Sequence, residues 1–172
     1  MGFINHEFKA VCADPGGIRA LLEERNAEYV GRDMQVDTYF HVRHGRLKLR
    51  EGNIEHALIH YHREDRAGSK TSHVQLYRPE PDPALKEMLA AALGVRVVVA
   101  KQRDIYFEDN VKIHVDHVEG LGDFVEVEAV ERSPSHTEES LRTQCLAYVA
   151  LFGVRDEDFI SVSYADMVEA RG

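Results

Sequence analysis

The sequence has little cysteine and no long apolar run, and these two absences argue against several classes of protein. Its two cysteines, Cys12 and Cys145, lie far apart and form no CxxC motif, which argues against a disulfide framework or a thiolate zinc site. No stretch approaches the roughly 18 apolar residues of a membrane-spanning helix, and no basic region followed by an apolar segment opens the chain. We therefore expect a cytoplasmic protein with neither membrane anchor nor signal peptide.

The chain also lacks an excess of basic residues. It has 21 Lys and Arg against 30 Asp and Glu, which gives a net charge of −9. Nucleic-acid binding depends on many phosphate contacts by Lys and Arg, so this balance disfavours a nucleic-acid partner without forbidding a local cationic pocket. With 44% hydrophobic residues and no internal repeat, the sequence predicts a single domain over residues 1–172.

Short alternating segments separated by glycine or polar clusters predict a mainly antiparallel sheet. These segments are FINHEFKAVC, VDTYFHV, RLKLRE, HALIHYHR, HVQLYR, VRVVVAKQRDIYF, NVKIHVDHV and a last strand after the turn at 120–122. Helices are predicted near residues 14–27, 81–93 and 137–152, with a short one from about Ser163. Ser135 and Glu138 have the spacing of a capping box at the start of the third helix.

One face of the predicted strands gathers most of their charged side chains. In RLKLRE, the basic residues Arg46, Lys48 and Arg50 share a face, while the two leucines point the other way. The same parity on the other strands adds Glu7, Lys9, Lys101, Arg103, Lys112, His114, Asp116, Glu126 and Glu128. This face has seven bases and four acids, so it is positive in a chain that is negative overall.

A solvated sheet face would explain such alternation without any function. Solvated faces intersperse opposite charges, however, whereas here the acids cluster on the terminal strands and the bases lie between them. The basic row of RLKLRE repels itself unless an anion neutralises it, and a carboxylate pair such as Glu126 and Glu128 favours a cation. A polyphosphate with magnesium would satisfy both, because Mg²⁺ binds through one or two carboxylates plus substrate phosphates.

The same positions resemble the CYTH family, which includes class IV adenylyl cyclases and thiamine triphosphatases. Its ExExK signature is similar to Asn5-His6-Glu7-Phe8-Lys9, and its later segments resemble QVDTYF, GRLKLRE, KQRDIYF and HVDHVEGLGDFVEVE, most closely in the bacterial class IV cyclases. The resemblance covers nearly the whole chain. It implies an α+β fold, a mainly antiparallel closed β-barrel of about eight strands whose polar faces line a tunnel and whose helices pack outside.

The resemblance also implies roles for individual residues. Divalent metal, Mg²⁺ or Mn²⁺, would be held by Glu7, Glu126 and Glu128 with help from Asp116. The triphosphate would be bound by Lys9, Lys48, Arg50, Arg63, Arg78, Lys101 and Arg103, and the catalytic residues among these would be Lys9, Lys101 and Arg103. Asn5 departs from the signature because it replaces the first glutamate, which removes one carboxylate from the metal site. A homodimer is the implied assembly.

Three functions stay open at this point. The favoured one is a class IV adenylyl cyclase, which forms cyclic AMP and pyrophosphate from ATP. The others are a triphosphatase acting on tripolyphosphate, thiamine triphosphate or a nucleotide, and a non-catalytic polyphosphate- or nucleotide-binding protein. No nucleophilic triad and no GxxxxGK[ST] loop offers another mechanism. The paired histidines His60 and His62, and His114 with Asp116, are better explained as surface or tunnel residues than as zinc ligands.

Overall fold

The computed structural model describes residues 2–63 and 66–172, and its strands close into a barrel. Within these ranges the strands are β1 (Phe3–Val11), β2 (Glu28–Phe40), β3 (Arg46–Glu51), β4 (His56–Arg63), β5 (Lys70–Tyr77), β6 (Val95–Glu108), β7 (Val111–Val118) and β8 (Gly122–Val130). Their order around the barrel is β1-β5-β4-β3-β2-β6-β7-β8, and all neighbours are antiparallel. The predicted fold, an antiparallel closed barrel of about eight strands, is confirmed.

Helices pack around this barrel: α1 (Pro15–Glu24), α2 (Pro83–Leu93), α3 (Glu138–Leu151) and α4 (Tyr164–Arg171). The first two begin as their sequences predict, because Asp14 and Asp82 each cap a backbone N–H just ahead of a proline in the first turn. None of the helices in the described part of the chain is long and apolar enough to cross a membrane.

The start of α3 differs from the prediction. The capping box at Ser135 and Glu138 is wrong, since Thr137 is the N-cap and its hydroxyl accepts a hydrogen bond from the Ser140 N–H at 3.2 Å. The Ser135 hydroxyl lies instead 2.7 Å from that of Ser133, in a turn that precedes the helix. The local turn therefore takes the serine that the spacing assigned to the cap.

The strand β2 begins well before the predicted VDTYFHV segment. It pairs with β6 from Glu28 onwards, and the register shifts between Tyr29 and Gly31. Gly31 has a φ of +144°, a conformation that side chains rarely adopt. This irregularity interrupts the apolar alternation of the first half of β2, so periodicity alone gave no sign of a strand there.

One apolar cluster of the core lies outside the barrel, between its outer face and the helices, and a second includes apolar residues that line the lumen. Phe8 of β1, Ile113 of β7 and Val127 of β8 have no exposed surface and pack with Leu22 of α1 and Cys145 of α3. Because successive side chains of a strand point to opposite faces, the residues next to these in sequence point into the barrel. The charged face predicted from the sequence is therefore the inner one.

Candidate active site in the barrel lumen

A cavity of about 360 Å³ occupies the barrel lumen. Eight basic side chains line it: Lys9, Lys48, Arg50, Arg63, Arg78, Lys101, Arg103 and Lys112. Four carboxylates accompany them: Glu7, Glu55, Glu126 and Glu128. The lining is positive, although the chain as a whole has a net charge of −9. A positive lumen attracts an anion of several charges, because the barrel wall limits screening by water.

The structure brings all the predicted phosphate-binding residues, and three of the four predicted metal ligands, to this cavity. The exception is Asp116, which is buried in the wall behind Arg103. Its two oxygens accept hydrogen bonds from Arg103 at 2.8 and 2.7 Å, and the Tyr164 hydroxyl donates to it at 2.8 Å. Asp116 therefore orients Arg103. Arg46, from the predicted basic row, is not part of the lining and instead donates to Asp166 of α4 at 3.0 Å.

Asp37 of β2, which the sequence analysis did not single out, organises the basic residues. Arg50 donates two hydrogen bonds to it, at 2.9 and 2.8 Å, and Lys101 donates one at 2.9 Å. The Lys48 ammonium lies 3.2 Å from the same carboxylate. Burial alone would raise the pKa of Asp37, but Arg50, Lys101 and Lys48 hold it well below its ordinary value. The charged Asp37 carboxylate therefore holds Arg50, Lys48 and Lys101 together at one part of the lumen wall.

Glu55 is a second carboxylate that the sequence did not reveal. It lies in the loop between β3 and β4, and it accepts hydrogen bonds from Arg50 at 2.9 Å and from Lys112. Burial alone would raise the pKa of Glu55, yet the charges of Lys112 and Arg50 lower it. The Glu55 carboxylate therefore bridges Arg50 of β3 and Lys112 of β7.

The acidic residues of β1 and β8 meet in another part of the lumen. Glu7 lies directly opposite Glu128, and Lys9 opposite Glu126, where these two strands pair. Arg63 of β4 donates to Glu7 at 2.5 Å, and the Lys9 ammonium is 3.8 Å from Glu126. Two of the predicted phosphate-binding bases thus lie beside the predicted metal ligands.

Glu126 and Glu128 share one face of β8, and their pKa values are shifted in opposite directions. Burial raises the pKa of Glu128 well above its ordinary value, and the charge of Glu126 raises it further. Burial would also raise the pKa of Glu126, but Lys9 above all, then His114 and Arg103, bring it well below its ordinary value. Proximity therefore disfavours two charges on the pair, and a divalent cation would favour the doubly ionised form.

The donor atoms at this place suit a divalent cation. In residues 2–63 and 66–172, His114, Glu126 and Glu128 form a group whose ligand atoms all lie within 4.8 Å of one another. Burial, and then the charge of Arg103, lowers the pKa of His114 to about 3, so the imidazole is neutral. The buried Oδ1 of Asn5, which also lines the cavity, has no hydrogen-bond partner in the described chain. Carboxylates, an imidazole and an amide oxygen are all groups that can ligate a metal.

Tyr164, at the start of α4, contacts two residues of the barrel interior. Its ring centroid lies 3.8 Å from the Lys9 ammonium, and its hydroxyl contacts Asp116. Burial lowers the pKa of Lys9 to about 8, even though Glu126 is close. Burial also lowers the pKa of Lys101 well below its ordinary value. An anion between these ammonium groups would stabilise their charged forms.

The chain has relatives in both sequence and fold. The sequence model of the CYTH domain matches residues 4–164. The chain belongs to the CYTH family. No curated protein matches the sequence of this CYTH chain.

Several solved structures share the CYTH barrel seen here. PH1012 from Pyrococcus horikoshii OT3 is 22% identical with a TM-score of 0.75, and the match covers 94% of this chain and 98% of PH1012. An adenylate cyclase candidate from Vibrio parahaemolyticus is 16% identical with a TM-score of 0.76, covering 98% and 99%. HpAC1 from Hippeastrum, an adenylyl cyclase candidate described as having a dominant triphosphatase activity, is 13% identical with a TM-score of 0.57, covering 98% and 95%. At these identities the likeness establishes the fold.

Proposed function

We propose that this CYTH protein catalyses divalent-metal-dependent phosphoryl chemistry on a triphosphate bound in the barrel lumen. The observation that supports this most directly is the convergence of eight basic side chains on a cavity that also contains the His114, Glu126 and Glu128 group. Arginine binds phosphate oxygens through its planar fork, and lysine acts as a point charge, so this mixture suits a chain of phosphates. A sheet face exposed to solvent would not enclose these charges.

The basic residues fall into two groups with different surroundings. Lys48, Arg50 and Lys101 are held by Asp37; in this proposal Lys48 and Arg50 bind phosphoryl oxygens on the Asp37 side of the lumen, and Lys101 donates to the group that is transferred. Three other bases lie close to Glu7 or Glu126, and they would donate to the oxygens on which charge develops during the reaction: Lys9, Arg63 and Arg103. Arg78 would contact the outer end of the substrate.

The carboxylates would hold Mg²⁺ or Mn²⁺. Glu126 and Glu128 are the proposed ligands, with Glu7 beside them, and Asp116 contributes by keeping Arg103 in place. When bound, the cation would neutralise phosphate oxygens and polarise the phosphorus that is attacked. Lys9, Lys101 and Arg103 are the proposed catalytic residues, because each can donate to the transferring phosphoryl group while its own orientation is fixed by a buried carboxylate or ring.

An adenylyl cyclase reaction on ATP is the proposal we favour. One wall of the cavity is apolar, formed by Phe3, Ala57, Ile59, Val74 and Leu76, and it could accommodate a nucleoside next to the cationic wall. The segments HVDHVEGLGDFVEVE and GRLKLRE, which resemble bacterial class IV cyclases, point the same way. The likeness to HpAC1 supports a second candidate, a triphosphatase that releases orthophosphate in the same lumen.

Incubation of the purified full chain with ATP, tripolyphosphate or thiamine triphosphate, each with Mg²⁺ or Mn²⁺, tests the proposal. Cyclic AMP with pyrophosphate would identify a cyclase, and orthophosphate a triphosphatase. Lys101→Gln should abolish turnover, whereas Lys86→Gln, which changes an exposed lysine of α2 paired with Glu51, should leave it unchanged. Tight binding of tripolyphosphate without any product would refute catalysis and favour a non-catalytic binding protein.

The oligomeric state needs its own measurement. The homodimer implied by the family resemblance stays a prediction, and light scattering of the purified chain would test it.

A further inference from the structure

His114 is buried in the lumen wall without a hydrogen bond. Only 1% of its surface is exposed, and neither of its ring nitrogens has a partner within the described residues. Buried polar side-chain atoms nearly always have a partner in the protein or in ordered water, so an imidazole with none calls for a physical reason. Arg103 in the same wall is bonded to Asp116, whereas the buried Oδ1 of Asn5 shares with His114 the lack of a partner among the residues that the structure describes.

The distances around the ring suggest what the reason is. Its Nδ1 lies 3.8 Å from an oxygen of Glu126 and 4.0 Å from an oxygen of Glu128. Both distances exceed the roughly 3.2 Å limit of a hydrogen bond involving nitrogen and oxygen. They agree with the separation of two ligands that share one cation, because ligands bound at about 2.0 to 2.2 Å lie roughly 3 to 4 Å apart.

The sequence gives His114 a particular importance in this chain. Asn5 takes the place of the first carboxylate of the ExExK signature, so the carboxylates near β8 have one anionic partner fewer. His114 lies directly opposite Glu126 in the pairing of β7 with β8, which fixes the imidazole beside the carboxylate pair. Its neighbours on the same face of β7 have other partners, since Lys112 is bonded to Glu55 and Asp116 to Arg103. Neither of them is hydrogen-bonded to the His114 ring.

We infer that His114 Nδ1 is the third protein ligand of the cation held by Glu126 and Glu128, and that this nitrogen shifts the preference of the site from Mg²⁺ towards Mn²⁺. Mn²⁺ also favours oxygen ligands, but as a transition metal it accepts an imidazole nitrogen more readily than Mg²⁺, which is bound almost entirely through oxygen. The inference rests on the proposed metal-dependent function, and it adds a ligand and a metal preference that the carboxylates alone would not give.

Electron spin-echo spectroscopy of Mn²⁺ bound to the full chain tests the assignment directly, because it detects nitrogen nuclei bonded to the metal. Mn²⁺ is added with and without tripolyphosphate to protein grown with ordinary or ¹⁵N-labelled histidine. We expect a coupling to directly bound nitrogen that changes with the histidine label. His114→Asn should remove this coupling. The control His117→Asn, which changes an exposed histidine of the same strand bonded to Asp123 at 2.8 Å, should retain it.

Metal affinities provide the second measurement. In His114→Asn we expect the Kd for Mn²⁺ to rise about tenfold, and that for Mg²⁺ to change by less than about threefold. Bound Mn²⁺ with no histidine coupling would overturn the ligand assignment and leave the metal-dependent function intact. Failure of both cations to bind, even with tripolyphosphate, would overturn the inference and the proposed function together. If His114→Asn does not fold, the labelled wild-type protein alone decides.

Discussion

Replacement of Asp37 by asparagine would remove the carboxylate shared by Arg50, Lys48 and Lys101, although Arg50 would keep its second partner, Glu55. Arg50 loses its bidentate partner, and Lys101 and Lys48 lose theirs. Removing one partner of a buried ion pair costs about 3–5 kcal/mol, because the other charge stays buried without compensation. In a chain of 172 residues, a loss of ~1 kcal/mol lowers the melting temperature by about 2–4 °C. We therefore expect Asp37→Asn to melt roughly 6–20 °C below wild type.

Thermal unfolding followed by circular dichroism at pH 7 measures this effect. Asp123→Asn is the matched control, because Asp123 is a half-exposed aspartate whose partner is the exposed His117. Pairs of that kind contribute little to stability, so the control should melt within about 2 °C of wild type. Lys101 can also lose its proton in the variant, whereas arginine cannot, and this favours the lower end of the expected range.

Addition of tripolyphosphate extends the test from stability to function. A ligand at 100 times its Kd stabilises a protein by ~2.7 kcal/mol, and the anion should bind more tightly when Asp37 no longer neutralises the cations. Its stabilising effect should therefore be larger in Asp37→Asn than in wild type. A variant that melts like wild type would refute the ion-pair reasoning. A destabilised variant with the same response to tripolyphosphate would show that these cations do not face the ligand.

Three further predictions address the core, the last helix and the metal site. Phe8 has no exposed surface, so Phe8→Ala should lower the free energy of unfolding in urea by ~3–5 kcal/mol, and a loss below ~1 kcal/mol would contradict its place in the core. Burial would raise the pKa of Asp166, but bonds from Arg96 and Ser163 hold it at about 2, below the value of 3.8 in the unfolded chain. The stabilisation by Asp166 should thus be present above pH ~4 and lost towards pH ~2, where wild type and Asp166→Asn should converge in melting temperature; a constant difference would oppose this. Asn5→Glu adds a carboxylate to the lumen and should lower the Kd for Mg²⁺ in calorimetry, and an unchanged Kd would exclude that position from the metal site.

Strand alternation predicted the antiparallel sheet and the charged face that lines the lumen, because it depends only on backbone geometry, whereas closure into a barrel was implied by the resemblance to the CYTH family. The segments RLKLRE and VEVE show it plainly, with basic or acidic residues on one face and leucine or valine on the other. Asp37 was missed because the predicted segment VDTYFHV begins only at Val36, whereas β2 begins at Glu28. The inward polar row Asp33, Gln35 and Asp37, which alternates with the exposed Met34 and Val36, therefore lay mostly outside the predicted strand.

The other misses have causes that a sequence pattern does not contain. Glu55 reaches the lumen from a loop, where no periodicity assigns a face. Tyr164 reaches it because α4 packs beside Lys9 and Asp116, a tertiary contact between distant parts of the chain. Arg46 has the correct parity, but it lies at the end of β3, where Asp166 of α4 binds it. Parity assigns a residue to a face, whereas its height along the barrel decides whether it reaches the cavity.

The pairing of β1 with β8 determines when the site can form during synthesis of the chain. Lys9 and Glu126 are neighbours across this seam although more than 100 residues separate them along the chain. During synthesis, the bases of the first half emerge long before the acids of β8 exist, and a half-made chain cannot assemble the ionic cluster. The proposed binding of a cation and a polyanion would thus depend on the closed barrel, which forms only when its first strand pairs with its last.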